Sequence, residues 1–312
     1  MAVPGGVIVT GAGGGIGAAV AECVAAAGYG VVVSDLGVSV DGHDPDRQVA
    51  ESVVERIRSR GGRAVAHQHD VVSFDAAADL VRRAVEEFGS LDGLVTCHGI
   101  LRERMIFNMT EDEWDSVIAV HLKGTFNCVR FATEQMRRQR AGSIVLLSSA
   151  AGMEGSPAQA NYAAAKAGVV GLAQSTALAM GRYGVNVNCV VPSAATRMTS
   201  RLNDRMQGSR PDGERQGPEL IAALIRALLD PANQHITGQT FTAAGRRLAR
   251  WEPPAEQESV RLADEFTYSD VTSAIQERLG ATPLRRFAAL GLPMPEASDH
   301  QATEILGLGD GT

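Results

Sequence analysis

A doubly wound α/β domain is the fold the sequence predicts: a parallel sheet of about seven strands, helices on both faces, and a C-terminal extension behind it. Three observations carry this reading. Short, β-branched, nearly all-apolar runs recur along the chain, longer amphipathic stretches alternate with them, and a glycine-rich turn joins the first run to the first such stretch. Strands buried on both faces read as continuous apolar runs, and strands alternating with helices build βαβ units. The 312 residues are 45% hydrophobic and 21% charged. That is enough for one large core, and it excludes a disordered chain, a collagen-like repeat and a coiled-coil rod.

Strands are expected at residues 6–10, 30–35, 63–68, 93–97, 143–148, 185–191 and 238–242. Helices are expected at 16–27, 46–60, 74–88, 111–139, 158–183 and 218–229. Thr110-Glu-Asp-Glu113 has the spacing of a capping box and opens the longest of these. Residues 193–217 are polar and carry three glycines and a proline. The stretch is too long for an ordinary connection and predicts a substrate lid. The dinucleotide-binding and catalytic domain is expected to span 1–250. The extension, 251–312, has weak helical patterns near 259–266 and 269–279. It reads as a cap, an oligomer contact or a partly disordered tail.

The net charge of −7 argues against nucleic-acid binding, which calls for a basic excess. Glu22, Gly28 and Gly30 interrupt the apolar run over 18–33, so no membrane span is expected, and the start has no charged n-region of a signal peptide. Cys23, Cys97, Cys128 and Cys189 are scattered through apolar stretches without metal-site spacing. They read as reduced thiols of a soluble cytoplasmic protein, and no metal site is expected.

Residues 7–17 run Val-Ile-Val-Thr-Gly-Ala-Gly-Gly-Gly-Ile-Gly, a strand entering a glycine-rich turn that opens a helix. Glycines allow positive φ and close backbone approach, and the helix N-terminus offers free N–H groups to a pyrophosphate. Asp35 follows Gly17 by 18 residues and closes the second strand, the place of a carboxylate that holds ribose hydroxyls. The fold is thus Rossmann-like. Asp35 would repel a 2′-phosphate, and neither Gly14 nor Leu36 supplies a cation for one, so NAD is the expected cofactor.

Tyr162 and Lys166 stand four apart on one helical face, and the chain has only one other lysine, Lys123. A phenol of ordinary pKa near 10 is a poor acid–base catalyst at neutral pH, and an ammonium beside it favours the phenolate. Ser149 lies 13 residues earlier at a strand end, on the sheet edge where ligands bind.

With these residues in place, the chain resembles the short-chain dehydrogenase/reductase family. The resemblance rests on Thr10-Gly-Ala-Gly-Gly-Gly-Ile-Gly17, Asp70-Val71, Ser149, Tyr162-Ala-Ala-Ala-Lys166 and Pro192, and covers residues 7 to about 245. It implies that Tyr162 is the general acid/base, that Lys166 lowers its pKa and binds the nicotinamide ribose, and that Ser149 polarises the substrate oxygen. Gly11, Gly15, Ile16 and Gly17 would hold the pyrophosphate, Asp35 and Leu36 the ribose, and Asp70 and Val71 the adenine. Gly99 and Pro192 would also contact the cofactor, as would Tyr162 and Lys166.

Two positions depart from the family. Its usual Asn-Asn-Ala-Gly is here Thr96-Cys97-His98-Gly99, and its catalytic Asn corresponds by spacing to His121. His121 reads as a relay or structural substitute, or as packing. His98 reads as a cofactor or substrate contact, or as a histidine tolerated at the pocket rim. Cys97 reads as structural.

Asp35-Leu36-Gly37 with its longer following loop, Gly99-Ile-Leu-Arg-Glu-Arg104, Val120-His-Leu-Lys-Gly124, Gln159-Ala-Asn-Tyr162 and Arg197-Met-Thr199 resemble one branch. It comprises the (3R)-hydroxyacyl-CoA dehydrogenase unit of multifunctional β-oxidation enzymes and its stand-alone bacterial relatives. This implies NAD-linked interconversion of a secondary alcohol and a ketone, on a substrate such as a 3-hydroxyacyl thioester. It also implies a homodimer or homotetramer packed through the helices around 111–139 and 158–183, although Trp114, Ile118, Leu122, Phe126 and Val129 read equally as core. The altered Thr96–His98 segment keeps other readings open: a tailoring ketoreductase of secondary metabolism, a steroid dehydrogenase, or a site turned to dehydration or epimerisation. A non-catalytic dinucleotide-binding sensor or scaffold is the rival class.

Overall fold

The computed structural model describes residues 4–194, 217–279 and 289–291. Eight strands form one sheet: β1 Gly6–Thr10, β2 Gly30–Ser34, β3 Arg63–His67, β4 Leu91–Thr96, β5 Gly142–Leu147, β6 Val185–Ser193, β7 Thr240–Ala244 and β8 Arg247–Trp251. Their order is β3-β2-β1-β4-β5-β6-β7-β8, parallel throughout except for the last pair. The helices are α1 Gly15–Ala26, α2 Gln48–Ser59, α3 Phe74–Phe88, α4 Glu111–Ile118, α5 Gly124–Gln139, α6 Ala150–Glu154, α7 Ala160–Met180, α8 Glu219–Leu229 and α9 Tyr268–Ala274.

Alternation along β1 shows how the layers form. Val7 and Val9 point to one face, where they meet α1, α2 and α8 through residues such as Val20, Val53 and Ile225. Ile8 points to the other, where α3, α5 and α7 bring Leu80, Val129 and Val169. Each strand of the parallel centre is thus covered on both sides, which its two-sided apolar sequence requires. The chain reverses direction across the sheet between β1 and β4, and the C-terminal ends of those strands open a crevice.

Three expectations are corrected. The sheet has an eighth strand: Gly245, at φ 55°, allows a two-residue turn that folds β8 antiparallel onto β7. β8 is an edge strand with mostly exposed side chains, so its sequence carries no buried-strand signal. The helix expected over 111–139 is interrupted by a π-helical turn at Ala119–Lys123, a feature common at functional sites. Residues 259–263 are irregular, whereas 268–274 form α9, capped by the reciprocal Thr267–Asp270 hydrogen bonds.

The chain divides into two units, Met1–Pro254 and Ala255–Thr312. β8 runs to Trp251, across the expected boundary at 250. Of the expected lid, residues 195–216 lie outside the described residues, as does most of the extension beyond 279. All four cysteines are free thiols. No helix among the described residues is long and apolar enough to cross a membrane.

Candidate active site

β1 delivers the chain to a turn in which Gly11 and Gly15 adopt φ 64° and 51°, conformations that favour glycine. Gly17 answers a different demand. A Cβ there would strike the Gly11 carbonyl oxygen and stand 2.9 Å from the Ala12 Cα, so only glycine lets α1 start this close to the turn. The N-cap, Gly14, has no side chain to satisfy the first N–H groups of α1. They remain available to an anion.

A cleft of about 450 Å³ opens over this turn. Gly11, Gly15, Ile16, Gly17, Asp35 and Leu36 line it from the β1–β2 side. Asp70, Val71, His98 and Gly99 line it from the loops after β3 and β4. The Asp35 carboxylate is oriented by two backbone donors, Gly13 N–H at 2.6 Å to Oδ2 and Gly37 N–H at 2.7 Å to Oδ1. Asp70 Oδ1 accepts from Val72 N–H at 2.9 Å, which shapes its own loop.

The chemical residues come from β5, α6 and α7. Ser149 follows the end of β5 by two residues and caps α6, its Oγ accepting from Ala151 N–H at 3.2 Å. Tyr162 and Lys166 lie one turn apart on α7, with Lys166 Nζ 5.8 Å from the phenol ring centroid. Lys166 is buried, and its Nζ donates to the Leu147 carbonyl at 2.7 Å. Burial lowers its pKa to about 8. Burial also raises the Tyr162 phenol, and a hydrogen bond with Ser149 works in the opposite direction. The ammonium is drawn to Leu147 and sits over the ring, and loss of water around the hydroxyl dominates.

His121 occupies the π-helical turn and is buried. Its Nε2 lies 2.8 Å from the Ile100 carbonyl and 3.1 Å from the Ile100 N–H. Its Nδ1 finds no hydrogen-bond partner among the described residues. The ring meets Tyr162 edge-on, with centroids 5.0 Å apart. The extra residue of the π turn aims this side chain inward, between the 99–100 backbone and the phenol. His98 is tied at both ring nitrogens, Nδ1 to Thr10 Oγ1 at 2.6 Å and Nε2 to Thr125 Oγ1 at 3.4 Å. It links β1, the loop after β4 and α5, and burial lowers its pKa to about 3, which leaves the ring neutral. Pro192 sits in β6 opposite Ala243 and is not among the described residues that line the cleft.

Two asparagines, neither assigned a role from sequence, position the site. Asn161 is buried beside Tyr162. Its Nδ2 donates to the carbonyls of Arg102 at 3.0 Å and Glu113 at 2.7 Å, and its Oδ1 accepts from Tyr162 N–H at 2.8 Å. Asn127 on α5 donates to the carbonyls of Val71 and Val72, both at 3.0 Å, and so fixes the loop that carries Asp70. A buried amide on an otherwise apolar helix face was the available signal. Asn161→Ala would orphan two carbonyls, and about 1–3 kcal/mol is lost per buried unsatisfied group. We expect a loss of about 2–4 kcal/mol in the urea unfolding free energy, with the slope unchanged.

A family model described as short chain dehydrogenase matches residues 6–207. The chain is 40% identical over 243 residues to the 3-oxoacyl-acyl-carrier-protein reductase FabG of Staphylococcus aureus, covering 76% of this chain and 96% of that protein. It is 36% identical over 272 residues to a short-chain type dehydrogenase/reductase of Mycobacterium tuberculosis, covering 84% of this chain and 93% of that one. It is 37% identical over 249 residues to the peroxisomal hydratase-dehydrogenase-epimerase of Neurospora crassa, covering 79% of this chain but 27% of that longer protein. Among solved structures, a short chain dehydrogenase from Mycobacterium avium superposes with a TM-score of 0.78 at 40% identity, over 90% of this chain and 97% of that one.

Proposed function

The chain belongs to the short-chain dehydrogenase family, and on that premise we propose that it oxidises a (3R)-hydroxyacyl thioester, or reduces the matching 3-ketone, with NAD(H) as cofactor. Interconversion of a secondary alcohol and a ketone is its reaction class. The observation that carries the proposal is the junction of two sets of residues. The glycine turn and Asp35 line one part of a single cleft, and Leu147, the carbonyl that holds Lys166, lines another.

The residues fit a nicotinamide dinucleotide. The absence of a Cβ at Gly17 keeps the turn tight against α1, and the uncapped helix start faces the cleft. When bound, that cofactor would supply the hydride acceptor for alcohol oxidation, or the hydride donor for the reverse reduction. Ser149 Oγ hydrogen-bonds the substrate oxygen, and Tyr162 Oη takes the hydroxyl proton or gives one back. Lys166, charged below about pH 8, stabilises the phenolate and holds a ribose hydroxyl. His121 Nδ1, unpartnered beside Tyr162, is placed to pass that proton onward. Asp70 and Val71 receive the adenine, and Gly99 and His98 border the nicotinamide end.

Asp35 supports NAD over NADP, because its carboxylate would face a 2′-phosphate with no cation at Gly14 or Leu36. We expect NADH to bind about tenfold or more tighter than NADPH, as a like-charge clash costs several kcal/mol. Asp35→Ser should narrow the ratio to within about threefold, since it removes that repulsion. Equal affinities in the native protein would count against NAD. Exposed Trp114, Phe126 and Leu178 leave apolar surface on α4, α5 and α7, whereas Val129 is core. That surface supports a homodimer or homotetramer. A cytoplasmic location belongs to the same reading, supported by the free thiols.

The test is reduction of NAD⁺ by the purified protein with a medium-chain (3R)-hydroxyacyl-CoA. Turnover supports the thioester substrate. Failure with NADH binding intact turns the search to steroids and polyketide-like ketones. A product at the oxidation level of the substrate would mark an epimerase or dehydratase.

A further inference from the structure

We propose that His67, His69 and Asp79 form a Zn²⁺ site at the end of β3, in addition to the dinucleotide cleft and independent of the reaction proposed for it. The three side chains each offer one ligand atom, and these atoms all lie within 4.8 Å of one another. His67 Nε2 and Asp79 Oδ2 already stand 3.4 Å apart. Zinc bonds of about 2.0–2.1 Å at tetrahedral angles place ligand atoms about 3.4 Å apart, so this pair needs no movement. His69 is exposed, and a side-chain rotation of little more than 1 Å, roughly, completes the set.

His67 Nε2 is buried and faces the Asp79 carboxylate at 3.4 Å without good hydrogen-bond geometry. The His67 side chain is 4% exposed, and its Nε2 has no hydrogen-bond partner among the described residues. Buried polar atoms are normally satisfied, and an exception calls for a physical cause. The other ring nitrogen, Nδ1, lies 3.4 Å from Ser34 Oγ, a hydroxyl able to hold the ring in its orientation. Arg82 pairs with Asp79 through Oδ1 and leaves Oδ2 turned to His67. Two imidazoles with one carboxylate suit zinc better than magnesium or calcium, and three protein ligands leave a fourth position for water.

Its place gives the site consequence. His69 lines the dinucleotide cleft, Asp70 follows it, and the His67 carbonyl accepts from Asp35 N–H at 3.1 Å. Bound metal would brace β3 against α3 beside both cleft-facing carboxylates. The sequence hides the site because Asp79 lies on the next helix, not at a recognisable spacing.

Calorimetric titration of chelator-stripped, full-length protein with Zn²⁺ tests this. We expect about one Zn²⁺ per chain, with binding about tenfold or more weaker in each of His69→Ala and Asp79→Asn. Both substitutions leave the buried His67 and the four cysteines in place, and thermal unfolding without metal checks that each variant folds. Metal should raise the native Tm, and the rise should shrink in both variants, as binding to the folded state alone requires. No binding to the native protein, or a loss below tenfold in either variant, overturns the site.

Discussion

Tyr162→Phe is expected to lower kcat by about 10²- to 10⁴-fold, the range a positioned general acid–base contributes, while leaving NADH affinity within about twofold of native. The phenol hydroxyl is the one group removed, and the ring keeps its edge contact with His121. The raised phenol pKa means the tyrosine is protonated at neutral pH and suited to donate its proton to a forming alkoxide. Lys166 sits 5.8 Å from the ring centroid, so drawing its ammonium toward the hydroxyl would favour the phenolate for the reverse direction. Stopped-flow or steady-state turnover with a (3R)-hydroxyacyl-CoA, beside NADH binding by fluorescence, reads both quantities. Native-like kcat in Tyr162→Phe would remove Tyr162 from the chemistry.

Gly17→Val is expected to weaken NADH binding on the order of 100-fold and to reduce stability by about 1–3 kcal/mol, the usual cost of overpacking. The added Cβ meets the Gly11 carbonyl group and Ala12 Cα, so the start of α1 must withdraw from the turn. That withdrawal carries the helix N–H groups away from the anion they would hold. NADH fluorescence titration and urea unfolding separate the two effects. NADH affinity within twofold of native would show that the turn does not seat the pyrophosphate.

Much of this protein is legible in short stretches of its sequence. The β1, β2 and β4 runs announce buried parallel strands, because the same residues must satisfy two apolar faces. The turn from Gly11 to Gly17 and the i, i+4 pair Tyr162 and Lys166 express local geometry, which spacing alone conveys. The Thr110–Glu113 capping box is legible for the same reason, and the structure forms both of its reciprocal hydrogen bonds. β8 escaped because an exposed edge strand need not be apolar. The π turn at 119–123 escaped because apolar periodicity does not distinguish one π turn from continuous α-helix.

Chain-local rules of strand burial, helix periodicity and glycine backbone freedom therefore determine the fold class, the phosphate-binding turn and the pairing of tyrosine with lysine. Folding decides what depends on partners far apart in sequence. Thr10 holds His98 across 88 positions, Asn161 joins the 102 and 113 carbonyls to Tyr162, and His67 faces Asp79 from another element. The protonation of Tyr162, Lys166 and His98 belongs with these, because desolvation is set by what the whole fold packs around a group and not by its neighbours along the chain.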